Sequence, residues 1–224
     1  MIFKAIIFDM DGVLADTEPF YQEIERNLFE RLHLNIDETE HESFKGVAAD
    51  RMWAILKEKY PLAWSLDELM HLTTSEVLPF FLGLEKIDLY EGIRELITEF
   101  AFHDIPVALA SSSYPEVIRI ILEKTRLAPF FKVVVNSEMA GASKPDPAIF
   151  LLAADQLGVT CADCLVIEDS ANGIRAAKKA GMYCIAVDFP ENKIQDKSLA
   201  DKLIKNYYEL SGSIKFFDSY FDLL

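Results

Sequence analysis

The chain of 224 residues is 51% hydrophobic and carries 22 basic against 37 acidic residues, a formal net charge of −15. That apolar fraction is too high for a disordered chain, and no window approaches the unbroken apolar run of a membrane helix. The acidic balance argues against nucleic acid, whose binding needs a basic face, and against anionic membranes.

Three cysteines, Cys161, Cys164 and Cys184, are too few and too odd in number for a disulfide framework. "CADC" has C-x-x-C spacing, but a zinc site would want a second ligand pair, and a redox pair usually opens a helix where here a strand follows. Ordinary structural cysteines are expected. The apolar opening is stopped by Asp9 and Asp11 and lacks a small-residue cleavage site, so it does not read as a signal peptide, and a cytoplasmic protein is expected.

In chain order, "KAIIFDM" (4–10) is the first expected strand, apolar without the polar alternation of a half-exposed one, as in a parallel sheet covered on both faces. Residues 16–87 then carry helical patterns only: "EPFYQEIERNLFERLH", "DRMWAILKEKY" and "SLDELMHLTTSEVLPFF". A connection of that length exceeds any ordinary strand-to-helix loop and predicts an inserted helical domain, with joints near 14–17 and 87–92.

After the insert, helices and strands alternate. A helix is expected over 92–104, a strand at "PVALAS" (106–111), and a helix over 114–127 with Pro115 near its start. A strand follows at "KVVVN" (132–136), then a helix over 145–158 ending at Gly158. "CLVIED" (164–169) is the next strand, followed by a helix over 170–181 with Ser170 as cap and Gly181 as stop, and by "YCIAVD" (183–188). The tail "IKFFDSYFDLL" (214–224) is expected to be a helix whose aromatic stripe packs on the core. The pattern predicts an α/β fold, a doubly wound parallel sheet with a Rossmann-like core formed by residues 1–15 and 88–224 and interrupted by the helical insert.

In such a sheet, ligands bind outside the carboxyl ends of the strands. Asp9 ends the first run and Asp11 lies two positions on, so alternation aims both toward one side. Ser111, Ser112 and Ser113 end the second run, just before a helix start whose unbonded N–H groups suit an anion. Lys144 sits in "SKPDP", where Pro145 and Pro147 stiffen the approach to a helix. Glu168 and Asp169 end the fourth run. Taken singly, Asp9 could cap a turn, the serines could cap a helix, and Lys144 could be an ordinary surface lysine. Together, four carboxylates at one edge of a buried sheet repel one another. A divalent cation removes the difficulty, and hard oxygen ligands suit Mg2+.

"DMDGVLADTE", "LASSS", "SKPDP" and "VIEDSANGIRAAKKAGM" resemble, in order, the four motifs of the haloacid dehalogenase-like hydrolases. They most resemble the branch of β-phosphoglucomutase-like and sugar-phosphate phosphatases, in which the insert, residues 16–87, is a cap domain. The resemblance implies that Asp9 is a nucleophile forming an aspartyl-phosphate. Asp11 would protonate the leaving oxygen and then activate water. Ser111 and Lys144 would hold the phosphoryl oxygens, with the backbone at Ser112 assisting. Mg2+ would be bound by Asp9, the Asp11 carbonyl and Asp169, with Glu168 as ligand or support. A hydroxyl leaving group needs a proton donor where halide does not, so Asp11 points to phosphotransfer and not to dehalogenation.

The mutases of this branch resemble "KGVSR" in the cap, where this chain reads "KGVAADR" (45–51). Lys45, Gly46 and Val47 fit, but Ala49 holds the Arg position and Arg51 comes two residues later. Tyr21 stands where the mutases carry His, and Tyr114 where they carry Lys. The departures favour a phosphatase acting on a small phosphorylated metabolite, with a mutase as the alternative and a non-catalytic metal-binding regulator as a third reading. Thr17, Lys45, Gly46 and Arg51 are candidate substrate contacts of the cap; for Lys45 and Arg51 a solvated surface is the competing reading. The expected protein is a monomer without nucleic-acid or membrane partners.

Overall fold

The computed structural model describes residues 2–44, 47, 49–190, 195–210 and 215–216. After a two-residue strand, β1 (Ile2–Phe3), the chain enters β2 (Ala5–Phe8), whose four residues are all buried. β2 is the centre of a six-stranded parallel sheet with β3 (Val107–Ser111), β4 (Val133–Asn136), β5 (Cys164–Glu168), β6 (Tyr183–Val187) and β7 (Lys202–Ile204). The order is β4-β3-β2-β5-β6-β7. The chain moves outward from β2 through β3 to β4, then returns to the opposite side of β2 for β5, β6 and β7. The winding reverses at β2, which puts the crevice for a ligand outside the carboxyl ends of β2, β3 and β5.

Register decides what meets there. Phe8 is level with Leu109 on one side and Ile167 on the other, and Asp9 N–H donates to Ile167 O at 2.9 Å. The residue after the apolar run of β2 therefore emerges between the last residues of β3 and β5.

The chain divides into two compact units, one of Met1–Asp16 with Lys86–Leu224 and the other of Thr17–Glu85. The second holds α1 (Glu18–Arg31), α2 (Glu38–Glu42), α3 (Ala49–Lys59) and α4 (Leu66–Gly83). Its interior is aromatic: Phe29 meets Trp53 edge-on at 5.7 Å and His41 at 5.1 Å. The buried Trp53 indole N–H donates to Thr73 Oγ1 at 2.8 Å, which removes the cost of an unmet donor. α4 starts with a capping box, Ser65 and Glu68 each bonding the other's backbone N–H.

In the first unit the sheet is flanked by α5 (Ile93–Phe102), α6 (Pro115–Lys124), the short α7 (Ser137–Ala140), α8 (Ala148–Leu157) and α9 (Ala171–Lys179). α8 and α9 pack through Ala153, Ala154, Ala176 and Ala177 against Ala5, Ile7, Ala108 and Val166. Small residues let these helices approach closely and fix the loops that lead into them. On the other face, Phe8 packs against Phe100 and Phe131, both at 6.3 Å between ring centres.

The tail differs from expectation. Lys215–Phe216 is a strand, β8, paired parallel with β1, where a helix was expected. The apolar and aromatic run "IKFF" suits extended backbone, and β1 offers a ladder to pair with. The remaining tail residues, 214 and 217–224, lie outside the described residues. Among the described residues no helix is long and apolar enough to cross a membrane.

Candidate active site

Lys144 and two strand-end carboxylates form the centre of the site. The Lys144 ammonium donates to Asp9 Oδ1 at 2.5 Å, Glu168 Oε1 at 2.7 Å and Ala110 O at 3.0 Å. An ammonium has three N–H donors, and each has an acceptor. Lys144 also lies 5.0 Å from the centre of the Phe150 ring on α8. The lysine thus ties together the ends of β2, β3 and β5, the three strands at which the winding reverses.

Glu168 is wholly buried at the end of β5. Its second oxygen, Oε2, accepts from the backbone N–H groups of Asp169 and Ser170, both at 2.8 Å, and from Ser170 Oγ at 3.0 Å. Ser170 is also the cap of α9, its hydroxyl accepting from Gly173 N–H at 3.0 Å. A buried carboxylate is tolerable when both oxygens are bonded and a cation is in contact, and Glu168 has both.

Asp11 rides on the turn after β2. Gly12 takes a left-handed φ of 74°, its N–H donates to Ala15 O, and Leu14 N–H donates to Met10 O. The turn is tied at a distance by Tyr207, whose buried hydroxyl donates to Val13 O at 2.6 Å. Asp11 Oδ2 accepts from Ser113 Oγ at 2.6 Å and lies 3.4 Å from Ser111 Oγ. The fully buried Ser111 hydroxyl in turn accepts from Ser113 N–H at 3.0 Å. Ser112 is exposed and its hydroxyl pairs with Ser137 Oγ at 3.3 Å.

The charges do not balance within the protein. Burial pushes the Asp9 carboxyl well above the usual range; Lys144 pulls it down, while Glu168, Asp11 and Asp169 push it further up. Burial alone would lower Lys144, but Asp9 and Glu168 outweigh it and hold the ammonium pKa above the ordinary lysine value. Among the described residues, the Lys144 ammonium contacts Asp9 and Glu168, with Asp11 and Asp169 close enough to push Asp9 further up. Oxygens of Asp9, Glu168 and Asp169 lie within 4.8 Å of one another. An all-oxygen donor set with excess negative charge fits a hard divalent cation such as Mg2+.

The structure brings Asp9, Asp11, Ser111, Lys144, Glu168 and Asp169 to one sheet edge. Of the other candidates, Thr17 is a buried residue at the N-cap position of α1 whose side chain makes no cap bond, and Arg51 is exposed in the first turn of α3, its backbone N–H on Asp50 Oδ1 at 2.7 Å. Lys45 and Gly46 lie outside the described residues. Ser113, named in the sequence only as one of the serine triplet, contacts Asp11, and Gly173, not named there, lies against Glu168. All three serines of "SSS" look alike in the sequence, and Gly173 looks like an ordinary glycine within a helix.

A family model described as haloacid dehalogenase-like hydrolase matches residues 6–187. A β-phosphoglucomutase of Bacillus subtilis (strain 168) is 34% identical over 192 residues, spanning 82% of this chain and 83% of that protein. A phosphorylated carbohydrates phosphatase of Thermotoga maritima is 35% identical over 179 residues, spanning 80% of this chain and 82% of that protein. The crystal structure of CbbY from Rhodobacter sphaeroides in complex with xylulose-(1,5)bisphosphate superposes with a TM-score of 0.81 at 26% identity, covering 93% of this chain and 96% of that one. With three of the four ordered motifs at strand ends of the parallel sheet and the third, between α7 and α8, bringing Lys144 to them, the chain belongs to the haloacid dehalogenase-like hydrolases, in the branch of β-phosphoglucomutase-like and sugar-phosphate phosphatases.

Proposed function

We propose that this phosphoric monoester hydrolase releases phosphate from a small phosphorylated metabolite, a sugar phosphate or a similar compound, with Mg2+ and through an aspartyl-phosphate on Asp9. The observation that carries the reading is the Lys144 ammonium held between Asp9 and Glu168 at the reversal of the sheet. A carboxylate attacks a phosphate dianion only where their repulsion is offset, and Lys144 is fixed beside the attacking group.

In the first half-reaction Asp9 forms its bond to phosphorus as the bond to the leaving oxygen breaks, and the Asp11 carboxyl proton passes to that oxygen. Ser111 and Lys144 hold the phosphoryl oxygens, with the Ser112 backbone assisting. In the second, the Asp11 carboxylate takes a proton from the attacking water and Asp9 is released. Asp9, Asp169 and the Asp11 carbonyl would hold Mg2+, which would add to the neutralisation of the phosphoryl charge. Glu168, with both oxygens bonded, orients Lys144 and the turn into α9. The insert, residues 16–87, is assigned the part of a cap by resemblance, with substrate choice falling to its residues, among them Thr17, Lys45, Gly46 and Arg51.

Isomerisation is the second reading, favoured by the identity to the Bacillus subtilis β-phosphoglucomutase. A mutase must keep a grip on the phosphate it is not transferring. An Arg fork suits that task; Ala49 at the head of α3 cannot do it, and Lys45 is a point charge without the bidentate geometry. Tyr21 packs on Phe81 at 5.5 Å and Tyr114 stands at the head of α6, each in place of a basic residue of the mutases. Hydrolysis is therefore preferred. The test is turnover of an aryl phosphate and of a panel of phosphorylated sugars, nucleotides and small alcohols with Mg2+. Release of phosphate that disappears in Asp9→Asn supports the reading; no turnover of any ester refutes it.

A further inference from the structure

Asp11, the acid and base of the phosphatase reading, is carried on the turn after β2. What grips it is Ser113. Ser113 Oγ donates to Asp11 Oδ2 at 2.6 Å, much closer than Ser111 Oγ at 3.4 Å. The distance is that of a charge-assisted O–H···O bond. Ser113 is itself anchored: its N–H donates to the buried Ser111 Oγ at 3.0 Å, and the chain passes directly from it into the cap residue and Pro115 of α6. Three groups therefore close a ring, Ser113 N–H to Ser111 Oγ, Ser111 Oγ to Asp11 Oδ2, and Ser113 Oγ to the same oxygen. One side of the ring is the rigid end of β3.

We propose that Ser113 is a positioning residue for proton transfer. It holds Oδ2 of Asp11 so that the other oxygen, Oδ1, gives its proton to the leaving oxygen and later takes one from water. The inference rests on the phosphatase reading. In the first step the Asp9–phosphorus bond forms, the phosphorus–oxygen bond to the alcohol breaks, and the Asp11 proton ends on the alcohol. In the second, water oxygen bonds phosphorus, the Asp9–phosphorus bond breaks, and the water proton returns to Asp11. Ser113 gains and loses no proton over the cycle. Its hydroxyl rotates to donate to the carboxylate and remains a neighbour of the same oxygen when Asp11 is protonated. Ser112, whose hydroxyl is turned to Ser137, has no such part.

The test uses leaving groups. An alkyl phosphate releases an alkoxide that needs a proton, whereas a nitrophenyl phosphate releases a stable phenolate that does not. kcat/KM covers steps up to the first irreversible bond cleavage, so the water step does not enter. In Ser113→Ala, kcat/KM should fall about 10- to 100-fold more for the alkyl ester than for the nitrophenyl ester, the range of a displaced acid. Ser113→Thr, which keeps the hydroxyl, should restore most of the difference. In an Asp11→Asn background, Ser113→Ala should cost nothing further on the alkyl ester, because the group it positions is gone. Thermal unfolding of each variant checks that the fold is intact.

Equal losses on both esters would assign Ser113 to phosphate binding or to the fold, and overturn the proposal. So would an absence of loss on either, or a full additional loss in the Asp11→Asn background. An unsubstituted enzyme that turns over neither ester refutes the phosphatase reading itself, a result distinct from all of these.

Discussion

No side chain fits at Gly173. A Cβ there would stand 1.5 Å from Glu168 Oε1 and 1.9 Å from its Cδ. The glycine is required by the close approach of the Glu168 carboxylate to α9, and through that carboxylate it sets the place of Lys144. Gly173→Ala should displace Glu168, loosen Lys144 from Asp9 and lower kcat by about 100-fold, as a misplaced catalytic group does. Alanine would stabilise an unconstrained helix by about 1 kcal/mol relative to glycine, so a fall in Tm would carry the sign of the clash. Asn172→Ala, at the exposed preceding position where the side chain accepts from Arg175 Nη1 at 2.9 Å, is the control and should leave kcat unchanged. An active Gly173→Ala variant with a raised Tm would refute this role for the glycine.

Removal of divalent metal should abolish turnover. Four carboxylates and one ammonium leave Asp9 too negative a neighbourhood for attack on a phosphate dianion. Activity should return with Mg2+ and fail to return with Ca2+, whose larger and looser coordination misplaces Asp9 relative to phosphorus. Chelator-treated protein that keeps full activity would contradict the metal requirement.

A pH-dependent stability term lies in the helical unit. Glu25 is 2.9 Å from His41 Nε2, and burial, with a smaller contribution from Glu18, pushes its carboxyl from 4.5 up to about 8. A raised carboxyl pKa stabilises the fold fully below the unfolded value and does so less as pH rises toward the folded value. The loss therefore falls between about pH 4.5 and 8, at no more than about 1.4 kcal/mol per unit. Glu25→Gln cannot ionise and its amide can still donate to the imidazole. Its Tm should fall less steeply than that of the parent from about pH 5 to 8 and exceed it at the upper end. Parallel curves would refute the assignment.

The phosphatase reading predicts the fate of a hexose phosphate. With β-glucose 1-phosphate and a trace of the bisphosphate, water should capture the aspartyl-phosphate and free phosphate should accumulate. Efficient conversion to glucose 6-phosphate with little phosphate released would restore the mutase, with Arg51 taking the part for which Ala49 is unsuited.

β2 through β6 were legible because each shows as a short apolar run, the edge strand β4 ("VVVN") included, as strands covered on both faces do. β7 was not legible: Lys202–Ile204 is three residues long with Leu203 exposed, and it exists through its ladder to Ile185, Ala186 and Val187. The five polar residues of α2 likewise carry no periodicity and depend on the Asp37 side chain accepting from Glu40 N–H. In the site, Asp9 stood out as a carboxylate directly behind a buried strand, and Glu168 and Asp169 by the same logic. The orientation of Ser113 could not be read, since three identical residues in a row leave the choice to the backbone path. Tyr207 could not be read as a support of the turn bearing Asp11, because its partner Val13 is 194 positions away and only the fold brings them together.

The covalent role of Asp9 is tested most directly by trapping. Asp11→Asn protein is mixed with Mg2+ and a nitrophenyl phosphate, quenched in acid, digested and examined by mass spectrometry. Loss of the acid and base should leave the first step open to this ester and slow the attack of water, by about 100- to 10,000-fold. A phosphoryl group should then accumulate on the peptide containing Asp9, at the position of Asp9 itself, and should be absent when Asp9→Asn is added. Turnover of the ester by the unsubstituted enzyme with no phosphorylated peptide in any variant, or with the phosphoryl group on another residue, would contradict the mechanism.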